Sequence, residues 1–288
     1  IMTLSLIPNK TSPGICMGVL DIFNMLKKLH RGTLGFALGF LLFFGNNSEL
    51  SAQCVSTGNS TDGYYTGVRQ VIFNTIDNST ILEDNAYSDF TGISTTVAQN
   101  STYDLSVYVN TDGNYTVNTM VWIDWNQDSD FADANESYVL GTATNVVASL
   151  TSASPYSVAI PGTATLGTTT MRISTKWNAY PTSCENGFDG EVEDYSINVV
   201  GPEINIQGNL VDILDGDITP STADDTDFGP VYTLAGSATH QFTIFNNGGG
   251  DLLLNGAPLV TITGTHAAEF SVTSQPGNTI IGSGGSEV

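Results

Sequence analysis

The chain has 288 residues, of which 29 are Asp or Glu and 7 are Lys or Arg, so its formal net charge at pH 7 is −22. Four of the seven bases precede residue 32, and beyond residue 52 three bases stand against 27 acids, a formal charge of −24. Such a surface repels phosphate backbones and anionic lipid headgroups, which argues against nucleic-acid binding and membrane docking. It suits divalent cations or cationic partners, although the same charge also serves simple solubility.

The first predicted element is an export leader. Met25 is the best candidate start, because three basic residues follow it closely and precede the apolar run 34–44. A helix needs about 20 apolar residues to span a bilayer, so this shorter run predicts a helical signal peptide that is cleaved after Ala52. We therefore expect residues 1–52 to be an upstream extension plus signal peptide. The mature protein is then secreted or at the cell surface, with no stable membrane span.

Two cysteines, Cys54 and Cys184, follow the predicted cleavage site. Export would place them in an oxidising compartment, and one pair allows one connectivity, so we predict a disulfide between them. In the chain-entropy description a loop this long contributes about 5 kcal/mol at most. Two free buried thiols are the alternative.

Alternation of apolar and polar residues with period two recurs along the mature chain and predicts half-buried antiparallel strands. The clearest runs are 103–109, 115–125 and 195–199, and Tyr115 shares the parity of the predicted core face in the second run. Turn sequences separate the runs, and no convincing amphipathic helix follows residue 52. The prediction is an all-β fold, an antiparallel β-sandwich of the jelly-roll or immunoglobulin-like type.

A domain boundary is predicted near Gly201-Pro202, because proline cannot donate to a strand ladder. The first domain is then 53–200, and the second, 201–288, is expected to be an incomplete immunoglobulin-like sandwich. The segment 212–227 is acidic but lacks regular ligand spacing, so we expect a solvated loop rather than a second metal site. In the second domain, strands are predicted at 204–206, 242–244, 259–263 and 270–272.

The stretch from residue 124 to residue 136 is the strongest candidate for chemistry. Six oxygen-bearing candidate ligands fall within it, and no Lys or Arg does. Calcium takes about six to eight oxygen ligands, and without a cation these like charges would repel one another. We predict a structural Ca²⁺ site, with an acidic turn that holds no ion as the alternative. The candidate ligands are Asp124, Asn126, Asp128, Asp130, Asp133 and Glu136.

A second acidic cluster contains Glu191, Glu193 and Asp194. On a strand the first two share one face and Asp194 takes the other. One or two of them could complete the metal shell from a neighbouring strand. An acidic rim at the start of a strand is an equal alternative.

Two motifs resemble a known family. The segment 121–128, Val-Trp-Ile-Asp-Trp-Asn-Gln-Asp, and the segment 190–195, Gly-Glu-Val-Glu-Asp-Tyr, are similar to the GEVED domain, which is named for the second motif. The resemblance covers about residues 54–200 and implies a module of a secreted bacterial surface protein. Ser129 departs from the family loop, which usually has Gly there.

Residues 202–288 resemble the choice-of-anchor D repeat, an immunoglobulin-like module. The segments that carry this resemblance are 202–206, 226–229 and 264–270. The pairing of the two modules implies a long modular surface or secreted protein, often one exported by type IX secretion.

Enzyme chemistry has little support, and we expect no catalytic residue in this segment. Only His240 and His266 follow the leader, and they fit a strand end and a short turn in which Thr265 could cap residues 267–270. No nucleophile elbow, zinc motif or phosphate loop is present. The paired acids could mimic a glycosidase dyad, but metal ligation explains them more simply.

The aromatic residues suggest a binding role. Trp122 lies off the core parity and could stack on a sugar or a peptide, but we expect it to pack beneath the acidic loop or against the other sheet. Trp177 and Tyr180 could stack on a sugar or a peptide. The function predicted from the sequence is a structural or adhesion protein with an extracellular protein or glycan as partner. A non-catalytic accessory region of a secreted hydrolase and a glycan-binding module are the alternatives.

Overall fold

The computed structural model describes most of the chain after residue 52, and the predicted signal peptide lies outside the described residues. The chain divides into two compact units between Val200 and Gly201. Within the described part, the regular structure is strand apart from one short 3₁₀ turn, which confirms the all-β prediction. No helix in that part has the length and hydropathy of a membrane span. The described residues are 2–6, 53–59, 65–80, 86–231 and 236–288.

Strands are numbered along the chain, and β1 (Met2–Leu6) belongs to the second unit. The strands of the first unit are β2 (Thr57–Gly58), β3 (Gly67–Phe73), β4 (Ile76–Ser79), β5 (Tyr87–Ala98), β6 (Thr102–Asn110), β7 (Thr116–Ile123), β8 (Ser137–Thr144), β9 (Ser149–Leu150), β10 (Tyr156–Ala159), β11 (Gly167–Trp177), β12 (Asn186–Phe188) and β13 (Gly190–Val200).

Two sheets of the first unit share one core. One sheet has the order β10-β6-β3-β4, with β9 also paired to β6, and the other has the order β5-β13-β11-β7-β8. Pairing within them is antiparallel except that β5 runs parallel to β13. A separate parallel pair joins β2 to β12. Residues of both sheets form a single hydrophobic cluster, as in a β-sandwich.

The core follows the alternation in the sequence. Val107 on β6, Ile123 on β7 and Ile197 on β13 are fully buried, and the residues between such positions face away from this core. The prediction is wrong for Tyr115, whose side chain is half exposed. This residue lies in the turn before β7, outside the paired part of the strand.

The second unit has its own sheet and core. Its sheet has the order β15-β14-β16-β1-β18, with β20 paired to β16, while β17 and β19 form a separate pair. Ile206, Phe242 and Ile244 are buried at its centre. The remaining elements are β14 (Ile204–Gly208), β15 (Val211–Ile213), β16 (Ala238–Asn246), β17 (Leu252–Leu253), the 3₁₀ turn Ala267–Glu269, β18 (Phe270–Ser274), β19 (Ile280–Ile281) and β20 (Ser286–Glu287).

Two local predictions for this unit are wrong. The run 259–263 is not a strand, because the side-chain amide of Gln275 satisfies Val260 by accepting from its N–H at 2.7 Å and donating to its carbonyl at 2.9 Å. Thr265 does not cap the 3₁₀ turn either. The cap residue is His266, which makes no side-chain capping bond.

Candidate functional site

The acidic loop, residues 124–136, connects the neighbouring strands β7 and β8. Its two ends are tied together, because the N–H of Ile123 donates to the carbonyl of Glu136 at 2.9 Å. The Glu136 carboxylate accepts from the N–H groups of Trp125 at 2.8 Å and Asn126 at 3.4 Å. The loop is therefore closed at its base by a buried carboxylate that bonds to backbone.

Asp and Asn at alternate positions fold the loop through successive side-chain turns. Asn126 Oδ1 accepts from the N–H of Asp128, Asp128 Oδ1 from that of Asp130, and Asp130 Oδ1 from that of Ala132, at 3.1, 3.1 and 2.8 Å. Such bonds favour turns over strands, which explains why β7 stops here. Ser129 takes a left-handed conformation with a φ of 73°.

The loop brings three carboxylates together at its exposed side. Asp128, Asp130 and Asp133 each place one oxygen within 4.8 Å of the other two. Asn126 Nδ2 donates to Asp128 Oδ2 and to Asp133 Oδ2, both at 2.8 Å. In this arrangement Asn126 presents hydrogen-bond donors to the carboxylates, so its amide would have to turn over to become the predicted oxygen ligand.

Two more acids of the loop are buried. Asp124 is 5% exposed and Glu136 is 1% exposed. Asp124 Oδ2 accepts from the N–H of Ser129 at 3.1 Å, while Oδ1 is buried and has no hydrogen-bond partner in the described part of the chain. Burial raises the pKa of each carboxyl group above its ordinary value, and hydrogen bonds from backbone N–H groups reduce the increase in pKa. A cation would satisfy the unpaired oxygen.

Side chains beneath the loop connect it to the sheet. Trp122 is 5% exposed and packs against Phe131, with ring centroids 6.4 Å apart, which confirms its packing role beneath the loop. The Arg172 guanidinium lies 5.3 Å from the Phe131 ring centroid. Arg172 is itself buried and donates from Nε and Nη2 to the two carboxylate oxygens of Asp194, at 2.8 and 2.7 Å.

Residues 118–198 match the GEVED domain family. The match begins in β7 and ends in β13, so it contains the acidic loop and both members of the Arg172–Asp194 pair. The chain therefore contains a GEVED domain, as the sequence resemblance predicted. No curated protein matches the chain. The match ends at residue 198, so the assignment of residues 202–288 to the choice-of-anchor D repeat stays a prediction.

Arg172, the partner of the last acid in the GEVED motif, connects three parts of the first unit. Besides binding Asp194, Arg172 Nη1 donates to the carbonyls of Cys54 at 2.7 Å and Ser183 at 2.9 Å. Cys54 and Cys184 are joined by the predicted disulfide, with their Cα atoms 5.5 Å apart. Arg172 thus holds both chain segments that the disulfide joins, and Asp194 supplies its counter-charge.

The two glutamates of the GEVED motif face the interior. Glu191 Oε2 accepts from the N–H of Val68 and its Oε1 from the Ser88 hydroxyl, both at 3.0 Å. Glu193 is fully buried and accepts from the Tyr195 hydroxyl at 2.8 Å. Its burial, and next the charge of Glu191, raise the pKa of the Glu193 carboxyl above its ordinary value.

The GEVED acids and the acidic loop do not form one site. Glu191, Glu193 and Asp194 lie on β13, and the loop follows β7, with β11 between these two strands. Asp194 forms an ion pair with Arg172 rather than contributing to the predicted metal site. Spacing alone could not show this, because the partner Arg172 is 22 residues away in the sequence.

An aromatic pair lies where β7 begins and β11 ends. Trp177 and Tyr180, the predicted ligand-binding residues, are 45% and 46% exposed. The Trp177 ring packs edge-to-face with Tyr115, with centroids 6.0 Å apart and planes at 83°. Tyr115 was missed as a surface residue because its parity matches the core face of β7.

Proposed function

We propose that the chain is part of a secreted or cell-surface structural or adhesion protein whose GEVED domain is stabilised by Ca²⁺ bound in the acidic loop. The disulfide fits an oxidising, extracellular location. The high negative charge and the GEVED domain fit a modular surface protein.

The unpaired Asp124 oxygen carries the calcium part of this proposal. A buried carboxylate oxygen without a partner destabilises the folded state, because the oxygen has lost its hydrogen bonds to water and gained none in return. In the same loop, the oxygens of Asp128, Asp130 and Asp133 cluster at the exposed side. A hard divalent cation would offset both the repulsion among the exposed acids and the isolation of Asp124.

The donor set favours calcium over transition metals. The loop offers carboxylate, amide and backbone oxygens, and it contains no His or Cys. Its ligands would come from one irregular loop between two strands, which suits the variable coordination of Ca²⁺ better than the strict octahedron of Mg²⁺. Asp124, Asp128, Asp130 and Asp133 are the proposed ligands, with Asn126 added if its amide turns over.

The melting temperature of the disulfide-bonded protein in calcium tests the site. With a dissociation constant of about 0.1 mM, common for extracellular modules, ~10 mM calcium stabilises the domain by about 2.7 kcal/mol. For a domain of this size that raises the melting temperature by about 5–10 °C. Asp128→Asn/Asp130→Asn should abolish the increase.

Control variants separate site binding from general screening of a negative surface. Asp215→Asn/Asp251→Asn removes the same number of charges from two exposed acids outside the loop. This variant should keep the full calcium response. An equal response of wild type, loop variant and control to calcium would reject the site.

We further propose that the chain itself is not catalytic. The His240 ring stacks on Phe228 at 4.3 Å, and its Nδ1 lies 2.6 Å from the carbonyl oxygen of Asp225. These contacts suit a packing role. Attachment of cells that display the protein, compared with cells that lack it, tests the adhesion part. If the cells that lack the protein attach equally well but no longer hydrolyse a polymeric substrate, the result would favour the hydrolase-accessory alternative.

A further inference from the structure

One end of the first unit exposes two aromatic rings at right angles. Tyr115 is 52% exposed and Trp177 is 45% exposed, although burying such rings would be favourable. Their edge-to-face contact fixes the angle between the rings and leaves part of each surface open. Together they form a corner with two aromatic walls.

The backbone holds this corner in place. The N–H of Trp177 donates to the carbonyl of Asp189, and the N–H of Asn178 donates to the carbonyl of Thr116, both at 2.9 Å. The N–H of Tyr115 donates to the carbonyl of Gly113, also at 2.9 Å. Because both aromatic residues are fixed at strand ends, a ligand would pay little ordering entropy to use them.

Acidic side chains accompany the aromatic rings. Asp189, whose carbonyl bonds to Trp177, carries a carboxylate that takes a hydrogen bond from the Thr66 side chain, while its buried Oδ1 has no hydrogen-bond partner in the described part of the chain. Asp112, in the turn before Tyr115, is close enough to Asp189 for the two charges to repel. A cationic group at the corner would relieve this repulsion.

The base next to Trp177 in the sequence already has partners within the chain. Lys176 is the neighbouring base in the sequence, and it is held in an ion pair with Glu185 and lies 5.6 Å from the Phe188 ring centroid. No Lys or Arg follows it up to Val288. The charge of −24 beyond residue 52 adds a long-range attraction for positive partners.

We propose that Tyr115, Trp177 and Asp189 form a binding site for a lysine or arginine side chain of a basic peptide segment in a partner protein. Aromatic faces attract an ammonium or guanidinium group through the ring quadrupole, and the carboxylate neutralises its charge. The site is separate from the acidic loop, so it does not depend on calcium.

Titration of a hexalysine peptide into the disulfide-bonded protein, followed by calorimetry at physiological salt, tests the proposal. Trp177→Ala and Asp189→Asn should each weaken binding roughly tenfold or more. Asp189→Asn keeps the size of the side chain, so it answers the question even if Trp177→Ala fails to fold. Leu166→Ala and Asp104→Asn are matched controls, an exposed apolar residue and an exposed acid, and should leave affinity within about twofold.

Three outcomes would overturn the proposal. Equal weakening by Asp189→Asn and Asp104→Asn would show that the peptide senses only net charge. Retention of full affinity by both site variants would show that the corner is not used. Binding of a neutral hexasaccharide that depends on Trp177, without peptide binding, would make the corner a sugar platform.

Discussion

Replacing Asp194 with Asn removes the counter-charge of a buried arginine. The side chains of Arg172 and Asp194 are 4% and 7% exposed, and two hydrogen bonds join them. Asn keeps the shape of the side chain but offers one acceptor oxygen in place of two, and no charge. Breaking a buried pair from one side costs about 3–5 kcal/mol, because the remaining charge stays uncompensated.

A double variant separates the ion pair from the wider role of Arg172. Arg172→Met/Asp194→Leu removes both charges, and such apolar replacements are often neutral when the pair acts alone. Here Arg172 also satisfies the carbonyls of Cys54 and Ser183, which would lose their donors. The double variant should therefore recover only part of the loss, with about 1–3 kcal/mol remaining for each carbonyl that stays buried and unbonded.

Urea denaturation with the disulfide intact measures both effects. Because the pair is buried, the loss in Asp194→Asn should be nearly the same at low and high salt. A loss below about 1 kcal/mol in Asp194→Asn would refute the structural role assigned to the GEVED aspartate. A double variant as stable as the wild type would refute the role of Arg172 as a link to the disulfide segments.

Three further predictions concern other parts of the first unit. Ser129→Gly should raise the free energy of unfolding by about 0.5–1 kcal/mol, because glycine adopts the positive φ of this residue without strain. Ser129→Ala keeps the Cβ and should give no such increase when both variants are compared by thermal unfolding. Glu193 has a raised folded-state pKa, so its ionisation costs stability as pH rises above the unfolded pKa of about 4.5. Glu193→Gln should remove this loss of stability and should be more stable than the wild type near pH 8, as measured by urea denaturation in the presence of a chelator. The same pH dependence of stability in the wild type and the variant would contradict the prediction. Cys54→Ser/Cys184→Ser should lower the free energy of unfolding by up to about 5 kcal/mol for a sequence separation of 130, and an unchanged urea midpoint would contradict this.

The fold was predictable where one physical rule dominated. Alternation placed Val107 and Ile197 correctly, because a half-buried strand needs one apolar face. The same rule failed for Tyr115, because parity does not tell where pairing ends. It also failed for the run 259–263, where the Gln275 side chain takes the role of a strand partner.

The candidate sites were predictable to different degrees. The acidic loop could be located because its candidate ligands are close in sequence, and the carboxylates of Asp128 and Asp130 lie close together as expected. The GEVED acids could be assigned to opposite strand faces but not to partners, since Arg172 and Val68 reach them from other strands. Long-range partners are set by sheet order, which spacing along one strand does not encode.

Terbium luminescence tests the proposed calcium site most directly. Terbium(III) takes the oxygen ligands that suit calcium, and Trp122 beneath the loop and Trp125 within it can sensitise its emission. We expect emission on tryptophan excitation that excess calcium removes and that Asp128→Asn/Asp130→Asn does not show. Absence of sensitised emission from the wild type, or emission that survives both excess calcium and the double substitution, would contradict a cation site in the acidic loop.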